Sequence, residues 1–559
     1  MRRDSNRSDS DDSDSHGGFA RRQFLATASA GTLGLGLAGC LAGDDTGSSG
    51  NGSGGTGTDS GSGTGNESAS GSGAGGAKSG GTLQWGGAVP VQGLDPHLDT
   101  AAASKRVLEN IVEGLVRLQP DYTFEPLLAK EMTTSEDNTK LSFTLHEGVT
   151  FHNGEEMTSA DVKASFERVQ GNEKFVANGF MQKVDSMSAP SDYEFSVTLT
   201  EPFAPFIAKM STAELAVLPA AEAEKSEIKE PIGTGPYQFD SREIESSFTM
   251  TKFEDYWGAD SVEGPYIDKI VKSEITDPSV RLQSFMAGEY DFINGIPPKD
   301  VQRVQQDGSV RFEKNFPKSL VYLGLNCEEE PFSDKNARLA LDYAFDKAEV
   351  AEAALYGTGQ ATASPATPGS PWVNEDVQPR PRDLDKAQEH LEKAGMPDGF
   401  SVSFKIPQSY PAQVQAAQVI ADQASEAGIE LNIQKITWSS WLSDVYSKQN
   451  FEATTSSYLA LYYPDVSFYK FLHPDGAFFF TGWTNEEYNA KVEEARHLYD
   501  ESKRAELYKE ATQIMHDERA GHLLLFWQAN LYGAQPDYKG KIGTPDGSSL
   551  RFNDNWLDR

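Results

Sequence analysis

Cysteine is nearly absent. The chain has 559 residues and two cysteines, Cys40 and Cys327. That excludes a disulfide scaffold and any cysteine-built zinc site. Basic residues are also scarce, 49 Lys and Arg against 84 Asp and Glu, for a formal net charge of −35. Nucleic acid is therefore not an expected partner, because phosphates need Lys and Arg opposite them. Electrostatic docking on anionic lipid is excluded on the same ground. Catalytic signatures are missing as well: there is no Walker A loop, HExxH, GxSxG or EF-hand loop. Gly34-x-Gly36-x-x-Gly39 has dinucleotide-loop spacing, but it lies in an apolar export segment with no strand before it. His516 and His522 would fall on different faces of a helix, so they do not form a metal-ligand pair. Carboxylates are too many for one pair to stand out as an acid and base. No cofactor, no metal and no enzymatic activity are expected; the enzyme alternative is an exported lipoprotein hydrolase.

The amino-terminal region carries an address. Arg21-Arg22-Gln23-Phe24-Leu25 fits a twin-arginine export signal. The apolar run from Phe24 to Gly39 is glycine-rich and shorter than the roughly 20 residues of a spanning helix. It ends in Leu37-Ala38-Gly39-Cys40, which resembles a lipobox, so Cys40 is the expected lipidation site and residues 1–40 are a signal to be set aside from the fold. Residues 41–80 are almost all Gly, Ser, Thr, Asn and Asp. They cannot bury enough apolar surface to offset ordering, and so read as a tether. Asn51-Gly52-Ser53 and Asn66-Glu67-Ser68 within it match the glycosylation sequon. Cys327 follows Leu323-Gly324-Leu325-Asn326 and is expected as a small buried side chain without reactivity.

From about residue 82 the chain mixes two periodicities. Leu141, Phe143 and Leu145 alternate with polar residues, as do Tyr193, Phe195, Val197 and Leu199, which predicts half-buried strands. Thr158-x-x-Asp161 opens a helix that aligns Val162, Phe166 and Val169. Phe400, Val402, Phe404 and Ile406 alternate. Val414, Ala417, Ala421 and Ala424 then take helical spacing, Gly428 stops the helix, and Ile429, Leu431 and Ile433 alternate again. That order is a βαβ unit with parallel strands. The body is α/β. Aromatics crowd Tyr458-Leu-Ala-Leu-Tyr-Tyr-Pro-Asp-Val-Ser-Phe468, with Trp438 and Trp441 upstream. They suit either core packing or a ligand cleft.

Leu94-Asp95-Pro96, Glu113-Gly114-Leu115-Val116 and Pro126-Leu127-Leu128-Ala129 resemble the opening of the extracellular solute-binding proteins of peptide/nickel ABC importers. Phe143 to Gly154 resembles the signature of that family, and Ala160-Asp161-Val162 follows it. Further matches are Pro231 to Tyr237, Asp255-Tyr256-Trp257-Gly258, Ala287 to Asp291, Leu325-Asn326, Pro331-Phe332 and Arg338 to Asp346. The resemblance spans about residues 82 to 540. It implies a two-lobed periplasmic-binding-protein-like fold with an extra subdomain on lobe one. Lobe one is then 81–125 with 226–320, returning at 525–559; the subdomain is 126–225 and lobe two 321–524.

The same resemblance implies capture of a small solute between the lobes and delivery to ABC permease subunits driven by a separate ATPase. The receptor would be a monomer held by its lipid on the outer face of the cytoplasmic membrane. Ligand contacts are expected from Tyr458, Leu459, Ala460, Leu461, Tyr462, Tyr463, Asp465 and Trp441. Peptide binders of the family carry an acid in a Trp-x-x-Asp-Tyr segment that pairs with the peptide ammonium. Here Leu461 or Tyr462 stands there, and Asp465 is the nearest substitute. An unpaired buried ammonium is costly, which leaves a non-peptide ligand such as an oligosaccharide as the alternative.

The acidic excess resembles that of proteins from extreme halophiles. Self-repulsion among carboxylates then destabilises the fold in dilute buffer, and salt relieves it. The melting temperature is expected to climb between dilute and molar KCl. A flat response would remove the halophilic reading.

Overall fold

The computed structural model describes residues 76–259, 264–459, 463–543 and 550–559. The export signal, Cys40, both sequons and most of the tether lie outside them, as do Ala460, Leu461 and Tyr462.

The sequence periodicities become packed elements. In the strand Lys140–Leu145 the residues Leu141, Phe143 and Leu145 are buried. In its partner Glu194–Leu199, so are Phe195, Val197 and Leu199. Tyr193 lies one residue before that strand and is only half-buried. Phe143 stands opposite Phe195, with ring centroids 6.2 Å apart, a cross-strand pair. The helix Ser159–Gln170 covers this face with Val162, Phe166 and Val169. Its first turn is fixed by Asp161, which accepts from the Thr158 backbone N–H at 2.8 Å and from the Thr158 hydroxyl at 3.0 Å. With Ala129–Thr134 and Val184–Ser191 these strands form a separate antiparallel four-stranded sheet.

The βαβ unit is also present. Phe400–Pro407 and Ile429–Ile436 pair in parallel, joined by the helix Pro411–Ser425. The helix buries Gln413, Ala416, Ala417, Ile420 and Ala424, whereas Val414 and Ala421 are half-buried. Its inner face is thus turned slightly from the expected stripe. Gly428, at φ +78°, ends the helical segment beside Gly399; a Cβ on Gly399 would sit 1.9 Å from the Gly428 carbonyl oxygen.

One eleven-stranded sheet spans the molecule. Its central path runs Ile429–Ile436, Phe400–Pro407, Ala453–Leu459, Arg311–Leu325, His522–Ala534, Phe292–Asn294, Thr82–Gly87, Lys269–Glu274, Ser247–Lys252 and Tyr237–Glu243. The two long strands in the middle belong to both halves. Residues 311–315 pair with 530–534 beside Phe292–Asn294, and residues 319–324 pair with 522–528 beside Ala453–Leu459. The ladder slips between Asn315 and Ser319.

Several of the family-like motifs meet at one buried carboxylate. Glu113 accepts hydrogen bonds from Thr234 Oγ1, Tyr256 OH and Trp257 Nε1, each at 2.9 Å. His152 Nδ1 accepts from the Gly233 N–H at 3.3 Å, so Nε2 carries the proton and donates to the Gly235 carbonyl at 2.9 Å. Burial lowers the His152 pKa to about 4, which keeps the ring neutral. Gly233 and Gly235 are required here, because a Cβ on either would press into the 110–112 backbone at 2.2 and 2.7 Å.

Another motif locks the second half. On the helix Lys335–Ala344, Arg338 donates to the carbonyls of Phe332, Ser333, Glu518 and Arg519. Asp342 pairs with Lys347 at 3.0 Å, Arg380 at 3.1 Å and Arg519 at 3.4 Å. Burial alone would raise the Asp342 pKa, but Arg519, Lys347 and Arg380 outweigh it and hold the carboxyl well below the usual range. Its folded pKa lies below the unfolded value. The stabilisation is therefore complete above the unfolded pKa and is lost as pH falls toward the folded one.

Two expectations need correction. Cys327 is half-buried; its Sγ–H points to the Leu325 carbonyl at 3.7 Å, and burial raises its pKa to about 11, so it is an inert thiol. His516 lies on the helix Glu501–Asp517 and His522 begins a strand, so helical spacing does not relate them.

Asp342→Asn leaves the buried Lys347 and Arg519 and the half-buried Arg380 without their carboxylate. It is expected to cost about 3–5 kcal/mol, the range for breaking a buried ion pair, read by denaturant unfolding at neutral pH. A loss below about 1 kcal/mol, the size of a surface pair, would show that the cluster is not a structural lock.

Candidate ligand-binding site

The strand Ala453–Leu459 lies in the middle of one half of the sheet, flanked by Arg311–Leu325 and Phe400–Pro407. Six of its residues, Ala453 to Tyr458, are buried, so its side chains have no solvent face until Leu459, which is half-buried. Tyr458 stands opposite Leu320 and stacks on Phe471 at 4.3 Å and near Tyr322 at 5.7 Å. A chain of rings leads from there to the upstream tryptophans. Tyr322 stacks on His522 at 4.1 Å, His522 lies 6.0 Å from Phe480, and Phe480 meets Trp441 edge-on at 5.8 Å. Burial lowers the His522 pKa to about 3, so that ring is neutral. Trp441 is buried, donates from Nε1 to Thr454 Oγ1 at 2.8 Å, and stacks on the half-buried Trp438 at 4.8 Å. Tyr463 is buried in the same apolar cluster.

Asp465 is buried and forms an ion pair with Arg496 at 2.5 Å. This pair sits where the two halves meet. Arg496 lies 3.4 Å above the Tyr469 ring and 5.1 Å from Phe203, and its carbonyl accepts from the Ala204 N–H at 2.8 Å. Across the seam, Glu214 is clamped by Lys105 and Lys209. Burial opposes its charge, but Lys105 and then Lys209 hold the Glu214 pKa well below the usual carboxylate range. Lys209 Nζ lies 5.0 Å from the Phe180 ring centroid, and Lys470 Nζ, from the other half, lies 5.1 Å from the same centroid.

The expected contacts thus divide. Tyr458, Tyr463 and Trp441 are held in the aromatic core, Asp465 is in the seam, and Leu459 is the half-buried last residue of its strand. Lys105, Lys209, Glu214, Lys470 and Arg496 were not anticipated. A signal existed for two of them. Lys209 is the lone charge in Phe206-Ile-Ala-Lys-Met210, and Lys470 the lone charge in Phe468-Tyr-Lys-Phe-Leu472. A charge inside an apolar run has a buried partner or a function.

A family model described as bacterial extracellular solute-binding proteins, family 5, matches residues 123–480. The chain belongs to this family. It is 28% identical over 509 residues to the dipeptide-binding protein of Escherichia coli, covering 82% of this chain and 91% of that one. It is 30% identical over 363 residues to the nickel-binding periplasmic protein of Escherichia coli, covering 63% of this chain and 67% of that one. Among solved structures, the ABC transporter-associated periplasmic binding protein DppA of Helicobacter pylori, in complex with the peptide STSA, superposes with a TM-score of 0.72 at 24% identity, covering 86% of this chain and 99% of that one. The fold is the two-lobed one of the periplasmic binding proteins. The named relatives are binding proteins, not enzymes, and their ligands range from a dipeptide to nickel.

Tyr458→Ala removes a stacked ring from a filled core and is expected to cost about 3–5 kcal/mol of unfolding free energy. Tyr458→Phe, which keeps the stacking, is expected to melt close to the wild type. An unchanged denaturation midpoint for Tyr458→Ala would place this ring outside the core and restore it as a free contact.

Proposed function

We propose that this protein is the lipid-anchored receptor of an ABC importer. It captures a small solute between its two halves and presents the closed complex to permease subunits that a separate ATPase drives. The observation that carries this reading is the seam, where Phe180, Phe203, Lys209 and Glu214 of one half face Asp465, Lys470 and Arg496 of the other. Polar and aromatic groups from both halves converge there, as a site between hinged lobes requires. The paired long strands supply the hinge, and lobe two extends from residue 321 to 524 on this reading. Asp465 lies in the seam, and Asp465, Leu459 and Tyr463, together with Ala460, Leu461 and Tyr462, are proposed to contact the solute or to position the groups that do. Twin-arginine export and lipidation at Cys40 put the receptor on the outer face of the cytoplasmic membrane, where the tether of residues 41–80 gives the body reach to its permease.

Native mass spectrometry of protein extracted from membranes in mild detergent tests both parts. The expected species begins at Cys40 with a lipid-sized mass increment, and releases a small molecule unaltered on unfolding. A chain retaining residues 1–39 would overturn the anchoring. Protein that holds no small molecule, and that none stabilises, would overturn the receptor role, since a ligand bound only by the folded state must raise the melting temperature.

A further inference from the structure

Cations gather at the seam. Lys105, Lys209, Lys470 and Arg496 bring four cations, while Glu214 and Asp465 bring two carboxylates. Asp99 and Glu109 also act on Lys105, and Glu201 acts on Arg496, which leaves the ground around Lys470. There each carboxylate is committed, Glu214 to Lys105 and Lys209, Asp465 to Arg496. Among the described residues the Lys470 ammonium has no hydrogen-bond or ion-pair partner. It has the Phe180 ring, which it shares with a second ammonium, that of Lys209. Burial, and after it Lys209, lower the Lys470 pKa to about 8 against the pull of Asp465 and Glu214. The other two lysines at the seam, Lys105 and Lys209, each have a carboxylate in Glu214.

We propose that the solute carries an anionic group and that Lys470, flanked by Lys209 and Arg496, receives it. This rests on the receptor reading above. A carboxylate or phosphate oxygen entering the seam supplies the acceptor that the protein withholds, as a charge-assisted hydrogen bond in a poorly solvated setting. The same anion bridges the halves, because Lys209 belongs to one and Lys470 and Arg496 to the other. It binds the closed arrangement better than the open one and so drives closure by its own charge. A cationic group, including a peptide ammonium, meets repulsion from Lys470 and finds Asp465 already taken by Arg496.

The test uses the full-length protein in molar KCl, with thermal melting and calorimetry of the wild type, Lys470→Gln, Lys470→Arg and the remote control Lys393→Gln. The probes are the small molecule released from the native protein, citrate, succinate, inorganic phosphate, putrescine and maltotriose. The released molecule is expected to be an anion at neutral pH, and at least one anionic probe to stabilise the wild type. Its affinity is expected to fall about tenfold or more in Lys470→Gln, to survive largely in Lys470→Arg, and to be unchanged in Lys393→Gln. Carboxylates and phosphate separate the two anion classes. Without ligand, Lys470→Gln is expected to melt at or above the wild type, since it removes an unpaired charge. A neutral or cationic released molecule, binding by maltotriose or putrescine alone, undiminished anion affinity in Lys470→Gln, or a lowered melting temperature of that variant without ligand would each overturn the anionic assignment while leaving the receptor intact. No released molecule and no stabilisation by any probe would overturn the receptor reading itself.

Discussion

The antiparallel ladder between Arg311–Leu325 and His522–Ala534 is the sheet pairing that, among the described residues, both halves share. Each half completes its own sheet against one end of it. The ladder is interrupted between Asn315 and Ser319, and Pro317 sits in the gap. A proline has no amide hydrogen to donate, so the ladder cannot run through this point. A side chain bridges it instead, with Asn530 Nδ2 donating to the Pro317 carbonyl at 3.2 Å. A sheet whose two ends are joined through a short irregular stretch bends there more readily than inside its paired segments. The position of the seam follows from that geometry. The groups that face each other across it are carried by the bodies on either side of the break, as the proposed closure requires.

Most of this architecture was legible because the residues that reveal it also build it. Glu113, His152, Thr234, Tyr256 and Trp257 come from four stretches that look unrelated along the chain. In space they are one hydrogen-bonded object, with glycines at 233 and 235 where no side chain fits. Arg338 and Asp342 likewise tie a helix to the turn that feeds the long strand His522–Ala534. Such motifs are constrained by packing and by buried polar groups that must be satisfied. They therefore identify the fold and are silent about the ligand.

The seam was less legible for a physical reason. Its charged residues come from segments around 105, 209–214, 470 and 496, and no periodicity links them. The aromatic stretch from Tyr458 to Phe468 drew attention by composition, yet Tyr458 lies on a strand paired on both sides, where a large ring packs inward. Its neighbours Thr454, Thr455, Ser456 and Ser457 are buried too, and such small polar residues disguise an interior strand as a loop. The two lysines isolated in apolar runs, Lys209 buried and Lys470 half-buried, were the better clue, because withdrawing an ammonium from water is costly enough that chains rarely do it without purpose.

The acidic surface and the proposed anion site act in opposite directions, and ionic strength separates them. A formal charge of −35 creates a field that slows the approach of an anion and opposes closure of two like-charged halves. In molar salt the Debye length is about 3 Å, so that field ends close to the surface and neither effect reaches far. The contacts at the seam are much less affected, because partly buried pairs at hydrogen-bond distance are screened far less than exposed charges. If the carboxylate excess is an adaptation to salt, the medium that stabilises the fold is also the one in which an acidic receptor can collect an anionic solute. In dilute buffer the same chain would meet that solute with its surface first, and its surface repels it.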